Sequence, residues 1–316
     1  MDKCNNLYDA KQYDKALNCL NKKLESDSSN LEALYKKANV LNKLGRFSQA
    51  IEVYDAYLKL NPNNEKAYNN KANALNNLKR YDEALKCYDR ALEIDSQYIN
   101  ALTNKATVLT ITGQFKKAIK YYDKCLELES DNLNILYNKA NALNNLKKFD
   151  EAIVVYDECL KLNSEHIHVL GNKGNALRVS GRFDEAIETY DEILKLDSTN
   201  KRALFNKAFT LSNMAEFRKA IEVYEEYLNL NPSNKTALNN KAFALEKIGK
   251  LQEAIETYDN VLKLDETNIA ALLGKANSFF KLKQFENSLK YYNKVLYYDS
   301  TNKLALKSKK ELLNYI

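Results

Sequence analysis

Tryptophan is absent from the 316-residue chain, and proline (2), glycine (7), histidine (2) and methionine (2) are scarce. So few Gly and Pro leave little material for tight turns, which excludes a sheet-rich architecture of many hairpins. No apolar run approaches the ~20 residues that span a bilayer, so no membrane partner is expected. The N-terminus, MDKCNNLYDAKQYD, lacks the apolar core of a signal peptide. Without secretion, the single glycosylation-type triplet Asn234-Lys235-Thr236 carries no meaning. The five cysteines (4, 19, 87, 125, 159) are odd in number and never fall as CxxC. They read as small buried side chains of a reduced, cytoplasmic protein, with a nuclear location as the alternative. His166 and His168, two residues apart, project from different sides of a helix, so no metal site is expected. There is no Gly-rich phosphate loop, no Ser or Cys beside a His and no length left over for a catalytic domain. The sequence therefore predicts no enzyme, no cofactor and no small-molecule substrate.

What is present is a period of 34 residues. KAN at 37–39 recurs at 71–73, 139–141 and 275–277, as KAT at 105–107, as KGN at 173–175 and as KAF at 207–209 and 241–243. Tyr54, Tyr88, Tyr122, Tyr156, Tyr190, Tyr224, Tyr258 and Tyr292 form a second column, and Ala50 to Ala254 a third, broken at Ser288. Each unit reads as a helical hairpin. Tyr68, Ala72 and Leu75 make one apolar stripe and Ala84, Leu85, Tyr88 and Leu92 another, both at helical spacing. Between them lies a short polar turn, in alternate repeats carrying Gly45, Gly113, Gly181 or Gly249 as a helix stop.

The repeat length, the small residue in the first helix, the Ala and Tyr four apart in the second, and a terminal Asp/Asn-Pro together resemble the tetratricopeptide repeat (TPR) family. Eight copies run in register over residues 30–301, preceded by a truncated repeat or cap at 1–29 and followed by a capping helix at 302–316. The terminal Pro survives only as Pro62 and Pro232, and a Lys column replaces a usual Leu. The resemblance implies an all-α fold, a right-handed superhelical solenoid of stacked helix-turn-helix units whose first helices line a concave groove.

The Tyr column is expected in the core. The Lys column (37, 71, 105, 139, 173, 207, 241, 275) also falls inside the buried arc of the first helix, where an unpaired ammonium is costly. An acid lies eighteen residues later in seven of eight repeats, which predicts a ladder of pairs within each hairpin, Lys71 with Asp89 and so on. Asparagine is concentrated in the first helices although it is a mediocre helix former. Asn70, Asn104, Asn138, Asn172, Asn206 and Asn240 form one column, and Asn73, Asn141 and Asn175, with Asn39 and Asn277, a neighbouring one. Drift in an Asn-rich composition explains loop asparagines, but not a column. A carboxamide pairs with both the N–H and the C=O of a passing peptide group, so Asn73, Asn141 and Asn175 are expected in the peptide-binding groove together with the first column. The first column is similar to the asparagine-lined groove in the TPR superhelix of protein O-linked N-acetylglucosamine transferase. That resemblance implies a groove reading peptide backbone, with Tyr35, Tyr137, Phe205, Phe209 and Phe243 adding side-chain preference.

The net charge of +6 lies wholly in residues 268–316, with 9 basic and 3 acidic side chains; residues 1–267 balance at 39 and 39. Lys303, Lys307, Lys309 and Lys310 make a basic end patch, read either as a solvating cap or as a site for an acidic partner. The groove columns are neutral amides, so nucleic acid is not the expected ligand. They also lack the Lys/Arg trio of a chaperone-tail clamp. The sequence thus predicts a non-enzymatic scaffold binding a protein or extended peptide, with a permanent structural subunit of a larger assembly as the alternative.

Overall fold

The computed structural model describes residues 3–315, which contain nineteen helices and no strand. They group into two compact units. The first, residues 1–162, holds α1 (Lys3–Asp9), α2 (Tyr13–Ser26), α3 (Leu31–Lys43), α4 (Phe47–Leu60), α5 (Glu65–Asn77), α6 (Tyr81–Ile94), α7 (Ile99–Ile111), α8 (Phe115–Leu128), α9 (Leu133–Asn145) and α10 (Phe149–Leu162). The second, residues 163–316, holds α11 (Ile167–Val179), α12 (Phe183–Leu196), α13 (Lys201–Asn213), α14 (Phe217–Leu230), α15 (Lys235–Lys247), α16 (Leu251–Leu264), α17 (Ile269–Lys281), α18 (Phe285–Tyr298) and α19 (Lys303–Leu312). From α3 to α18 every hairpin pairs a 13-residue first helix with a 14-residue second helix. Within each unit, helices contact their neighbours in sequence, so each is an all-α solenoid of stacked hairpins.

The helix starts explain the loop asparagines. Asn30, Asn64, Asn132, Asn200, Asn234, Asn268 and Asn302 each accept, through Oδ1, the backbone N–H three residues on, at 2.8–3.2 Å. An N-cap of this kind contributes about 1 kcal/mol. Composition alone is therefore not the reason for Asn in these loops, and that reading is corrected. His166 takes the same place for α11, its Nδ1 accepting from the Val169 N–H at 3.4 Å.

The first helices stop the same way in every repeat, with one residue in the left-handed region. It is Gly45, Gly113, Gly181 or Gly249 in alternate repeats, and Lys11, Lys79, Lys147, Ala215 or Lys283, at φ 57° to 62°, in the others. The closing bonds match: Arg46 N–H to the Leu41 carbonyl and Arg80 N–H to the Leu75 carbonyl are both 2.9 Å.

The core is built from the predicted columns. The eight Tyr from 54 to 292 are at most 3% exposed, and the small residues of the first-helix column, Ala38, Ala72, Ala106, Ala140, Ala208, Ala242 and Ala276, are fully buried; Gly174 stands in that column directly against the Tyr190 ring. Cys87, Cys125 and Cys159 are free and buried, and burial pushes the Cys159 thiol up to about 11. The reading of all five cysteines as reduced is corrected at one pair: Cys4 and Cys19 form a disulfide. The helix α1 has only 7 residues and buries only Cys4, so the crosslink holds to α2 an element with little packing of its own.

Non-glycine residues in the left-handed conformation are strained by about 1–2 kcal/mol. Replacing Lys79 or Lys147 with Gly is expected to stabilise the protein by about 0.5–1 kcal/mol each, after the entropy that Gly adds to the unfolded chain. Gly113→Ala should do the reverse. Urea unfolding midpoints check both directions, and a midpoint lowered by Lys79→Gly would contradict the assignment.

Candidate functional site

The lysine column is paired, but in a different register from that expected. Lys71 meets Asp55 at 2.5 Å, Lys139 meets Asp123 at 2.8 Å, and Lys105 pairs with Asp89 in the first unit. In the second unit Lys207 meets Asp191 at 2.6 Å, Lys241 meets Glu225 at 2.9 Å, and Lys275 pairs with Asp259. The acid stands sixteen residues before the lysine, not eighteen after it. The intra-hairpin ladder is thus corrected to an inter-repeat one: within each unit, a second helix offers its carboxylate to the first helix of the next repeat. The amines are the buried partners, with Lys105 and Lys275 only 8% and 6% exposed, whereas their acids keep 41–54% of their surface. Tyr121 and Tyr291 cover Lys105 and Lys275, with ring centroids 4.2 and 4.5 Å from the ammonium nitrogens. The register offers no acid to Lys37 and Lys309, which fall opposite Asn21 and Asn293.

The second asparagine column has a structural duty. Burying a tyrosine ring also buries its hydroxyl, which then needs a partner. Tyr54, Tyr88, Tyr156 and Tyr292 donate to Oδ1 of Asn39, Asn73, Asn141 and Asn277 at 2.6–2.7 Å, and Tyr190 donates to Asn175 at 3.1 Å. Burial pushes the Tyr190 phenol up to about 12, so it stays a donor. Where the column changes, the hydroxyl loses this acceptor. Tyr122 faces Thr107 and Thr110 at 3.4 Å each. Tyr224 faces Phe209, and although Ser212 and Asn240 approach its hydroxyl, neither completes a bond. Tyr258 faces Phe243 and turns instead toward the buried Glu246, 3.5 Å away, which Lys281 neutralises at 2.8 Å. Gly274 makes room for that turn, because a Cβ there would collide with the Tyr258 ring.

The first asparagine column is half-buried on the first helices and only partly engaged. Asn70 and Asn206 donate through Nδ2 to Oδ1 of Asn39 and Asn175, at 3.0 and 3.1 Å, adding a link from one repeat to the preceding one. Asn104 donates to Asn69 at 3.0 Å. Asn69 is itself buried, at 4% exposure. Arg202 reaches Oδ1 of Asn172 at 3.5 Å. Asn138 makes no hydrogen bond among the described residues. Of the flanking aromatics, Tyr35, Tyr137 and Phe205 lean on Tyr54, Tyr156 and Tyr224, with centroids 6.4, 6.5 and 6.3 Å apart. Phe209 stacks on Phe205 and lies 5.4 Å from the Arg178 guanidinium, while Phe243 is 45% exposed beside Lys247. At the end of the chain Lys303, Lys307 and Lys310 are exposed and Lys309 is half-buried, with Glu311 at 3.9 Å from Lys307 as the nearby acid.

Stacked two-helix hairpins of constant length, locked by tyrosines against small residues, define an α-helical repeat solenoid. Tetratricopeptide-repeat patterns match residues 64–128, 134–166 and 244–303, half of the chain, and the chain belongs to the tetratricopeptide-repeat family. The family pattern of anaphase-promoting complex, cyclosome, subunit 3 matches twice, at 9–91 and 179–261. None of the matching families is an enzyme family, and repeats of this kind serve as protein-interaction modules. No curated protein matches the chain. Among solved structures, a tetratricopeptide-repeat protein from Parabacteroides merdae is similar at TM-score 0.56 and 17% identity, covering 79% of this chain and 99% of its own. YrrB, described as a TPR protein with an unusual peptide-binding site, is similar at TM-score 0.53 and 21% identity, over 60% of this chain and 97% of its own. MamA from Desulfovibrio magneticus is similar at 0.51 and 20%, over 54% and 96%. At these identities the likeness is one of fold. No helix among the described residues is long and apolar enough to cross a membrane.

The corrected register has a direct test. Asp89→Asn leaves the Lys105 ammonium buried without its counter-charge and should cost about 2 kcal/mol, whereas Lys105→Met should cost less than about 1 kcal/mol. In double-mutant cycles read by denaturant unfolding, Lys105 should couple to Asp89 and not to Asp123. Coupling to Asp123 alone would restore the intra-hairpin ladder.

Proposed function

We propose that the chain is a protein-interaction scaffold whose first helices hold extended peptide segments through the column Asn70, Asn104, Asn138, Asn172, Asn206 and Asn240. The observation that carries this reading is Asn138: a half-buried carboxamide that makes no hydrogen bond among the described residues and costs helix preference. Packed helices lie about 8–10 Å apart and an extended chain advances about 3.3 Å per residue, so one such Asn per repeat meets roughly every third peptide group. Both faces of a peptide unit are satisfied by one carboxamide, which reads backbone and ignores side-chain identity. Asn73, Asn141 and Asn175 support this row from behind, since their Oδ1 atoms are occupied by tyrosine hydroxyls. Tyr35, Tyr137, Phe205, Phe209 and Phe243 supply local apolar preference.

The second reading, a permanent subunit of a larger assembly, is favoured by the twofold match to a family named for a subunit of such an assembly. A single stoichiometric complex recovered from the source cell at high salt would favour the subunit, and many weak clients the scaffold. On either reading, the exposed Lys303, Lys307 and Lys310, with Lys309, would attract an acidic partner.

Asn138→Ala separates binding from stability. Its melting temperature should stay level or rise, because Ala is the better helix former. Affinity for an extended client peptide should fall about five-fold, the loss of roughly 1 kcal/mol of backbone pairing. Normal binding by a combined Asn104→Ala, Asn138→Ala variant would remove the column from the working surface. At the basic end, changing the four lysines to Gln should flatten the salt dependence of an acidic partner between about 50 and 300 mM salt. Unchanged binding across that range would leave the patch as a solvating cap.

A further inference from the structure

One position of the first helix carries a ring in three repeats, as Tyr35, Tyr137 and Phe205, and each ring leans on the core tyrosine nineteen residues later. In α11 the same position is Gly171. A Cβ built there meets nothing within 4 Å, so the space that a ring occupies in sister repeats is open. It forms a pocket of about 230 Å³ lined by α11, α12 and α13: Ile167, His168, Gly171, Tyr190, Ile193 and Arg202 are among its walls. Tyr190, the counterpart of Tyr156 and Tyr224, thus has a ring face with no aromatic from its own first helix upon it. The inner wall is apolar, with Ile193 and Ala203 each 2% exposed. The rim holds the exposed Arg202 guanidinium and His168 imidazole, and no carboxylate is among the lining residues. For comparison, an apolar cavity of about 150 Å³ suffices for benzene.

We infer that this pocket in the second unit is an anchor site for one aromatic side chain flanked by a carboxylate on the bound partner. The ring takes the place that Tyr137 and Phe205 hold in their own repeats, edge-on or tilted against Tyr190. The carboxylate meets Arg202, whose hydrogen bond within the protein is the long one to Asn172, at 3.5 Å. The site gives a backbone-reading groove the side-chain selectivity that asparagines alone do not supply. The inference rests on the scaffold reading for the source of the ring, but not for the existence of the pocket.

The test uses the full chain with labelled isoleucine methyl groups and two free probes, p-cresol and p-hydroxyphenylacetate. Both should shift the Ile167 and Ile193 methyl signals saturably, through the ring current of the bound probe. The acid should bind about five-fold more tightly than the cresol, and Arg202→Gln should abolish that advantage. Gly171→Phe should fill the pocket from within and remove binding of both probes, with a melting temperature no lower than the parent's. Gly171→Ala, which keeps most of the space, should retain binding; it serves as the comparison should the Phe variant fold poorly. Absence of saturable shifts in the parent chain, or equal binding by a folded Gly171→Phe protein, overturns the pocket. An advantage for the acid that survives Arg202→Gln overturns the carboxylate preference. Probe binding that persists while the asparagine variants still bind clients normally leaves the pocket standing and removes the groove reading alone.

Discussion

A tyrosine buried once every 34 residues is the constraint from which most of this molecule follows. Its ring needs a neighbour with almost no side chain, which sets the Ala and Gly column on the first helix. Its hydroxyl, taken out of water, needs an acceptor, and an asparagine fifteen residues earlier provides one in five hairpins. That asparagine carries spare acceptor capacity, which the Asn of the following repeat uses at Asn39 and Asn175. A polar surface that looks like ligand chemistry is, in its inner row, the solution to a packing problem.

The outer row is different in kind. Its members sit one helical turn from the buried residues without being needed by them, as the irregularity of their bonds makes plain. Asn70 and Asn206 bridge repeats, Asn104 turns to Asn69, and Asn138 makes no hydrogen bond among the described residues. The row keeps its place while its internal contacts vary, and the proposed peptide-binding role rests on that variation.

The hairpins, their core stripes and the buried state of Tyr and Lys were legible because a 34-residue period repeats each clue eight times. The pairing register was not legible. A helical wheel places Lys71 and Asp89 at one height within a hairpin, but it carries no information on how the preceding hairpin stacks, and stacking brings Asp55 closer. The loop asparagines were not legible as caps because a cap depends on one backbone geometry at a boundary, whereas composition is averaged along the chain. The link between Cys4 and Cys19 lay hidden because fifteen residues of separation mean little until a short helix folds back on its neighbour. The open slot at Gly171 was invisible for a related reason. A missing side chain shows in a sequence only when the column it belongs to is known to point inward.

Within each unit, the inter-repeat ladder gives the stack of hairpins a polarity in how it comes apart. Each rung joins a half-exposed carboxylate on one repeat to a shielded ammonium on the next. When a repeat peels away from the C-terminal side, it takes the ammonium with it and leaves behind an acid already content in water. When a repeat peels from the N-terminal side, it removes the carboxylate and strands a charge that the remaining hairpin still shelters. The two ends of such a stack are therefore unequal sites for fraying, and unravelling runs more easily from last to first. The crosslink between α1 and α2 lies outside this ladder, whose first rung joins α4 to α5.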